Sequence, residues 1–230
     1  MLPGSNKEIK HTADKPAAGE EMSDPKDSLH AITDTTLAHY THNAQSFWEG
    51  TRDHDVSQNI TALLNALGDG SHRILDLGCG PGRDLRTFSD LGHRPTGLDG
   101  SATFCEMART WSGCPVLHQN FLDMRLPEKM FDGVFANASL FHVPTSALPH
   151  VLRVLHAALR SDGILFCSNP RGNNQEGWNG SRYGAYHDLG NWRAVMASAG
   201  FVEIHHYYRP PGLPREHQPW LASVWRAEKE

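Results

Sequence analysis

The chain has 230 residues, 39% of them hydrophobic, with a formal charge of −5 and a pI near 6.3. That length suits one α/β domain plus an appendage, and its Lys and Arg residues are scattered, which argues against a surface that tracks nucleic-acid phosphates. No apolar stretch approaches the ~20 residues of a membrane span, and the four cysteines (Cys79, Cys105, Cys114, Cys167) form no C-x-x-C pair, so the expectation is a cytoplasmic protein with free thiols.

Residues 1–32 combine three prolines, charges of both signs and no aromatic residue. Such a segment buries too little surface to offset its ordering entropy, and a flexible leader is predicted ahead of a domain over 33–230. Leu37, Tyr40, Ala44, Phe47 and Trp48 then recur at helical spacing, and Ile60, Leu63, Leu64 and Leu67 do so again after a break at Gly50. Two helices are therefore expected before the first strand. Around the turn between them, Tyr40, Trp48, Thr51, Arg52, Asp53, His54 and Asp55 form an aromatic, acidic and basic mixture able to fold over a cofactor mouth and exclude water. Tyr40, Trp48 and Thr51 are candidates for the cofactor, and Arg52, Asp53 and Asp55 for the acceptor.

Regular alternation follows: strand 72–77, helix 82–91, strand 94–98, helix 101–111, strands 115–119 and 131–137, helix 145–159 and strand 163–168. Thr145 or Ser146 is the expected cap of the helix after Pro144. This order predicts a doubly wound, mostly parallel α/β sheet of seven strands, with ligands beyond the carboxyl ends of the strands. Residues 170–187, rich in Gly, Asn, Arg and aromatics, show no periodicity and read as a long functional loop. A helix over 188–199, an alternating strand FVEIHHYY and a strand near 219–226 close the chain.

Three places carry chemistry. In RILDLGCGPGRD, Gly78, Gly80 and Gly82 let the main chain pass close to a ligand while the next helix offers free N–H groups. Asp76, Cys79 and Asp84 share that loop, and Asp99 with Gly100 ends the second strand, where a carboxylate would take a ribose diol. A dinucleotide fingerprint would need glycine at position 83, but Arg83 stands there. After the third strand, Asn120 and Phe121 are placed to meet an adenine amino group and ring. Beyond the fourth, Asn137, Ala138, Ser139 and His142 leave the strand where donor and acceptor would meet, and His142 or His187 is the candidate proton acceptor, with Asn137 beside them. His39 with His42, and His205 with His206, lack cysteine or acidic partners at ligand spacing, so no metal is expected.

The acid two residues before Gly78 resembles the first motif of class I S-adenosylmethionine (SAM) methyltransferases. The blocks FWEGTRDHDVSQNI (47–60), ILDLGCGPGRDL (74–85), FDGVFANASLFHVP (131–144), SNPRGNNQEGWN-x-x-RYGAYHDL (168–189) and HYYRPPGLPRE-x-QPWLASVWR (206–226) are similar to the methyltransferase module of ovothiol biosynthesis, commonly fused behind an iron-dependent sulfoxide synthase. The resemblance covers roughly residues 34–228. It implies a Rossmann-like fold and SAM-dependent methylation of 5-thiohistidine at the ring nitrogen next to the side-chain attachment, giving ovothiol A and S-adenosylhomocysteine (SAH), with a separate sulfoxide synthase as functional partner. Asn120 departs from the acid more usual in such enzymes.

A thiohistidine pocket needs a guanidinium fork, an acid, an aromatic wall and amides. The 170–187 segment supplies these types in Arg171, Asn173, Trp178, Arg182, Tyr183, Tyr186 and His187. Arg171 or Arg182 is expected on the carboxylate, with Asp53 or Asp55 near the ammonium. The alternatives are another small acceptor (another imidazole, a thiol, or an oxyanion such as tellurite) and a non-catalytic SAM-binding partner subunit.

Overall fold

A computed structural model describes residues 25–229 of the chain. The expected leader falls largely outside these residues, but its last eight, 25–32, belong to α1 (Pro25–His42). Pro25 at the first helical position suits a helix start. Leu29 packs on the main core, and Thr33 and Thr36 are buried below the same stripe, so the helix begins well before its first aromatic.

Two further helices, α2 (Ala44–Thr51) and α3 (Ser57–Leu67), precede the sheet. Strand β1 (Arg73–Leu77) feeds α4 (Arg83–Asp90), β2 (Arg94–Asp99) feeds α5 (Ala102–Ser112), and β3 (Val116–His118) leads to a 3₁₀ turn at Phe121–Asp123. After β4 (Phe131–Asn137) come a second 3₁₀ turn (Leu140–His142), α6 (Leu148–Ala158) and β5 (Leu159–Pro170). A hairpin of β6 (Gln175–Asn179) and β7 (Arg182–Tyr186) follows, then α7 (Leu189–Ser198), β8 (Phe201–Arg209) and β9 (Trp220–Ala227).

The main sheet has seven strands in the order β3-β2-β1-β4-β5-β9-β8. The first five in sequence pair parallel, whereas β9 lies antiparallel between β5 and β8. This is the expected Rossmann-like arrangement. One core layer packs α6 and α7 on one face, with Leu148, Leu152, Leu155 and Trp192 against Leu75, Val134 and Leu165. The opposite face carries α3 and α4, where Ile60, Leu63 and Phe88 meet Ile74, Phe135 and Phe166. Strand order reverses between β1 and β4, and the ligand crevice of such sheets opens there, at the carboxyl ends.

Three local expectations need correction. The stripe from Leu37 to Trp48 is divided at Asn43 into α1 and α2, so three helices precede the sheet instead of two. α6 starts at Leu148 rather than 145, and neither Thr145 nor Ser146 caps it: the Thr145 N–H donates to the Glu176 carboxylate at 2.7 Å, and Pro149 occupies the helix's first turn. The 170–187 segment is a two-stranded hairpin, with Asn179 opposite Arg182 and Trp178 opposite Tyr183. Its turn, Gly180-Ser181, has φ +62° at the glycine, a conformation that favours glycine at the first turn position of a two-residue hairpin.

Candidate functional site

Above the β1/β4 reversal lie two connected chambers, one of about 100 Å³ and one of about 590 Å³, sharing Tyr40, Phe47, Gly78, Gly80 and Ala138 on their walls. The loop after β1 forms the divide. Gly78 has φ +72° and sits so close to β4's exit that a Cβ would come within 2.5 Å of Ser139 Cβ. A side chain there would close the passage, so the glycine provides a cradle for a ligand.

The smaller chamber has the furniture of a nucleoside site. Asp99 is buried, with Oδ2 accepting from the Gly80 N–H at 3.0 Å and Oδ1 from the Ser101 N–H at 2.8 Å. Burial raises its carboxyl to about 6, against the pull of those N–H groups. The Gly100 N–H also bonds this carboxylate, which leaves one of its roughly four acceptor sites for a hydroxyl. Phe121, Phe104, Leu37 and Val143 supply apolar walls, and the Ser139 hydroxyl is buried without a partner. Asn120 lines the chamber, although its amide also serves the fold, donating to Thr33 Oγ1 at 3.1 Å and accepting from the Leu122 N–H at 3.0 Å. Ser101 caps α5.

α1 roofs this chamber and is fastened to the β6–β7 hairpin. The Tyr183 N–H donates to Thr36 Oγ1 at 3.0 Å, and His39 Nδ1 meets Ser181 Oγ at 2.7 Å. His142 Nδ1 lies 2.6 Å from the Tyr183 carbonyl. A carbonyl can only accept, so the proton resides on Nδ1, and Nε2 is left to accept from the Tyr40 hydroxyl at 2.8 Å. Burial lowers His142 to about 4. At neutral pH the ring is therefore uncharged and a weak base, its lone pair already engaged by Tyr40. Burial raises Tyr40, while the Arg182 guanidinium beside its hydroxyl pulls the other way.

The larger chamber is lined by Trp48, Thr51, His54 and Asp55 from the α2–α3 turn, by Cys79, Arg83 and Asp84 from the glycine loop, and by Asn137 and Phe141 after β4. Ser168, Arg182, Arg209 and Trp220 complete it. Asn137 is tied into a polar chain: its Oδ1 accepts from Asn59 Nδ2 at 2.9 Å, its Nδ2 reaches Asp84 Oδ2 at 3.4 Å, and the Tyr207 hydroxyl donates to Asn59 Oδ1 at 2.9 Å. Asp84 is gripped by Arg83 through two bonds of 2.7 and 2.9 Å. Ala138, next in the chain, has φ +61°, a left-handed conformation that costs a non-glycine residue about 1 kcal/mol.

Several expected site residues stand elsewhere. Gly82 packs α4 on α5, where a Cβ would meet Ala108 Cα at 2.7 Å. Asp76 lies beneath the loop, one carboxyl oxygen buried and unpartnered, and burial with nearby Asp84 pushes it well above the usual carboxylate range. Arg52 and Asp53 pair with each other at 3.3 Å with side chains 53% and 85% exposed. Arg171 holds the strand connection before β9, donating to the Gln218 and Arg215 carbonyls at 2.8 and 2.6 Å. Asn173 and Trp178 are exposed, because they lie on the outer part of the hairpin. Tyr183 contributes its main chain, while the Tyr186 ring lies over Gly184 of its own strand. His187 is buried beside Trp192 with Nδ1 at 2.7 Å from Asn191 Nδ2, in neither chamber.

Thr33 and Thr36 lie before the apolar stripe that announces the helix, Leu37 reads in sequence only as part of that stripe, and Arg209 and Trp220 come from the last two strands. The alternation of β8, ending in a basic residue, was their one available signal. A loop that a Cβ would block, a buried diol-ready carboxylate and an aromatic beside it fit a nucleoside with a charged tail.

Residues 74–163 match the family of methyltransferase domains. No curated protein matches the chain. Among solved structures, the chain is similar to Burkholderia thailandensis 1,6-didemethyltoxoflavin-N1-methyltransferase with bound 1,6-didemethyltoxoflavin and S-adenosylhomocysteine (TM-score 0.73, 21% identity, covering 94% of each chain). It is also similar to a SAM-dependent methyltransferase from Mesorhizobium loti (TM-score 0.61, 21% identity, 74% of this chain and 96% of that one). A TehB-like SAM-dependent methyltransferase from Corynebacterium glutamicum gives a TM-score of 0.65 at 19% identity, over 84% of this chain and 100% of that one.

Proposed function

We propose, for a chain whose domain and fold are those of class I methyltransferases, that it methylates the imidazole ring of 5-thiohistidine with SAM, at the nitrogen next to the side-chain attachment, to give ovothiol A. The observation that carries this reading is the larger chamber: about 590 Å³ of space, joined to the nucleoside chamber at Gly78 and Gly80. Its walls bring Trp48, Phe141 and Trp220 together with Arg182 and Asp55. Those types suit a planar ring bearing a carboxylate and an ammonium, and four of the five sequence blocks similar to ovothiol methyltransferase modules contribute every one of them. In this reading a separate iron-dependent sulfoxide synthase supplies the thiolated ring.

SAM, when bound, supplies an electrophilic methyl on a sulfonium. The protein's part is alignment, which in a displacement of this kind can account for ~7–11 kcal/mol of the barrier. Asp99 would hold the ribose, and the glycine loop, with no side chain at Gly78, would leave room for the rest of the cofactor. Tyr40 stands at the junction of the chambers, donating to His142 while the Arg182 guanidinium bonds its oxygen, which leaves one lone pair to accept the ring N–H of the acceptor and orient the opposite nitrogen's lone pair. Asp55, held below the usual carboxylate range by the Ser57 hydroxyl and N–H, stays ionised for the ammonium.

Incubation of the purified protein with SAM and 5-thiohistidine, read by mass spectrometry, tests the assignment. A gain of one methyl at the stated nitrogen is expected. Turnover confined to another imidazole, a thiol or tellurite would replace the acceptor, and SAH binding without any turnover would make the chain a binding subunit.

A further inference from the structure

Arg209 leaves the end of β8 and enters the larger chamber from the far side of the sheet. Its Nη2 donates to the Asp55 main-chain carbonyl at 3.1 Å, while its Nε is buried with no hydrogen-bond partner. A guanidinium is a permanent cation in proteins, so a buried N–H of this kind cannot shed its charge to relieve the deficit. Arg182 of β7 lines the same chamber beside Tyr40. Among the described residues, neither Arg182 nor Arg209 takes part in an ion pair, whereas the third guanidinium, Arg83, is held by Asp84 at 2.7 Å. The Asp55 carboxylate lies near enough to Arg209 for the two charges to act on each other, but it accepts from the Ser57 N–H and forms no ion pair with the guanidinium, which bonds the Asp55 carbonyl instead.

From this juxtaposition we infer that Arg209, assisted by Arg182, is the anion subsite of the methyl acceptor, and that the acceptor is a small molecule bearing a carboxylate. The inference rests on the methyl-transfer reading and names the residue that selects its substrate. SAM also carries a carboxylate, but the position of Arg209 speaks for the acceptor. β8 is separated from β1 by β4, β5 and β9, roughly 19 Å of sheet at the usual strand spacing, so Arg209 meets the chamber opposite the glycine loop. Trp220, paired with Arg209 across the β8–β9 ladder, adds an apolar wall beside the charge.

Arg209→Gln and Arg209→Lys test this with two readouts. Steady-state kinetics use 5-thiohistidine and its decarboxylated analogue, and calorimetry uses SAH. Loss of a charge-assisted carboxylate contact corresponds to a tenfold to hundredfold effect, on the order expected for hydrogen bonds to ions. For Arg209→Gln we expect KM for the amino acid to rise by that factor with kcat within about threefold, partial recovery in Arg209→Lys, and an unchanged KM for the decarboxylated analogue. SAH affinity stays at the wild-type value, which also certifies folding. An equal rise for both acceptors, or an unchanged KM for the amino acid, overturns the subsite. A parallel loss of SAH affinity reassigns Arg209 to the cofactor and overturns it as well.

Should the wild type turn over no thiohistidine, the acceptor identity fails and the subsite is judged separately. L-Histidine and histamine are then titrated into the SAH complex, followed by tryptophan fluorescence. Preference for the acid in the wild type and its loss in Arg209→Gln support the subsite, and equal binding of the two in the wild type refutes it.

Discussion

Lowering the pH from 7 to 5, with Asp99→Asn as control, separates what the Asp99 carboxyl does for the ligand from what it does for the fold. Burial raises this group from 3.8 to about 6. Its ionised fraction then falls from about nine-tenths at pH 7 to about one-tenth at pH 5, and affinity for SAH should fall about tenfold, ~1.4 kcal/mol. Folding responds in the opposite sense. Because the folded value lies above the unfolded one, the carboxyl's favourable contribution is fully present below pH ~4 and is lost as the pH rises through about 6, a change on the order of 3 kcal/mol. Asparagine removes the titration, yet its amide nitrogen cannot accept from Gly80 or Ser101, which bind the two carboxylate oxygens. The variant should therefore bind SAH about ten- to a hundredfold more weakly at pH 7 and show no slope. Calorimetric titration with SAH between pH 5 and 7.5, beside thermal melts of the ligand-free protein, measures both. A wild-type affinity that is flat over this window, or a slope that survives in Asp99→Asn, would refute the ribose assignment.

The Tyr40→Phe variant should retain SAH affinity within about threefold while kcat falls about tenfold or more, the loss typical of one orienting hydrogen bond, as seen in single-turnover kinetics. Ala138→Gly should stabilise the protein by up to about 1 kcal/mol, because glycine carries no penalty at φ +61°; chemical denaturation reads this, and a destabilisation would show that the turn depends on the methyl. Asn59→Leu removes the group that bridges Tyr207 and Asn137. It should cost about 2–4 kcal/mol by orphaning buried partners, and an unchanged denaturation midpoint would mean that water replaces it.

The sheet was legible because period-two strands and period-3.6 helices alternate cleanly from Arg73 to Pro170, and the glycine loop because its φ values demand glycine. The roof was not. Thr33 and Thr36 are polar, so a stripe drawn from apolar residues alone ended at Leu37, although both hydroxyls turn inward and bond to their own helix. The hairpin was missed because its alternating Trp178 and Tyr183 are broken by glycines and asparagines that usually punctuate loops. Individual side chains in that segment were harder still: Arg171 and Arg209 are alike in sequence, and only the fold decides that one braces a connection while the other enters the chamber. His187 illustrates the same limit, being a histidine of suitable chemistry that packs beside Trp192 and lines neither chamber.

The fastening of α1 to the hairpin couples the two chambers. Tyr183 bonds Thr36 in the wall of the smaller one and His142 beside it, while Arg182, its neighbour on β7, lines the larger. A change that loosens the hairpin would therefore be felt on both sides of the glycine loop, and ligand affinity in one space would move together with that in the other.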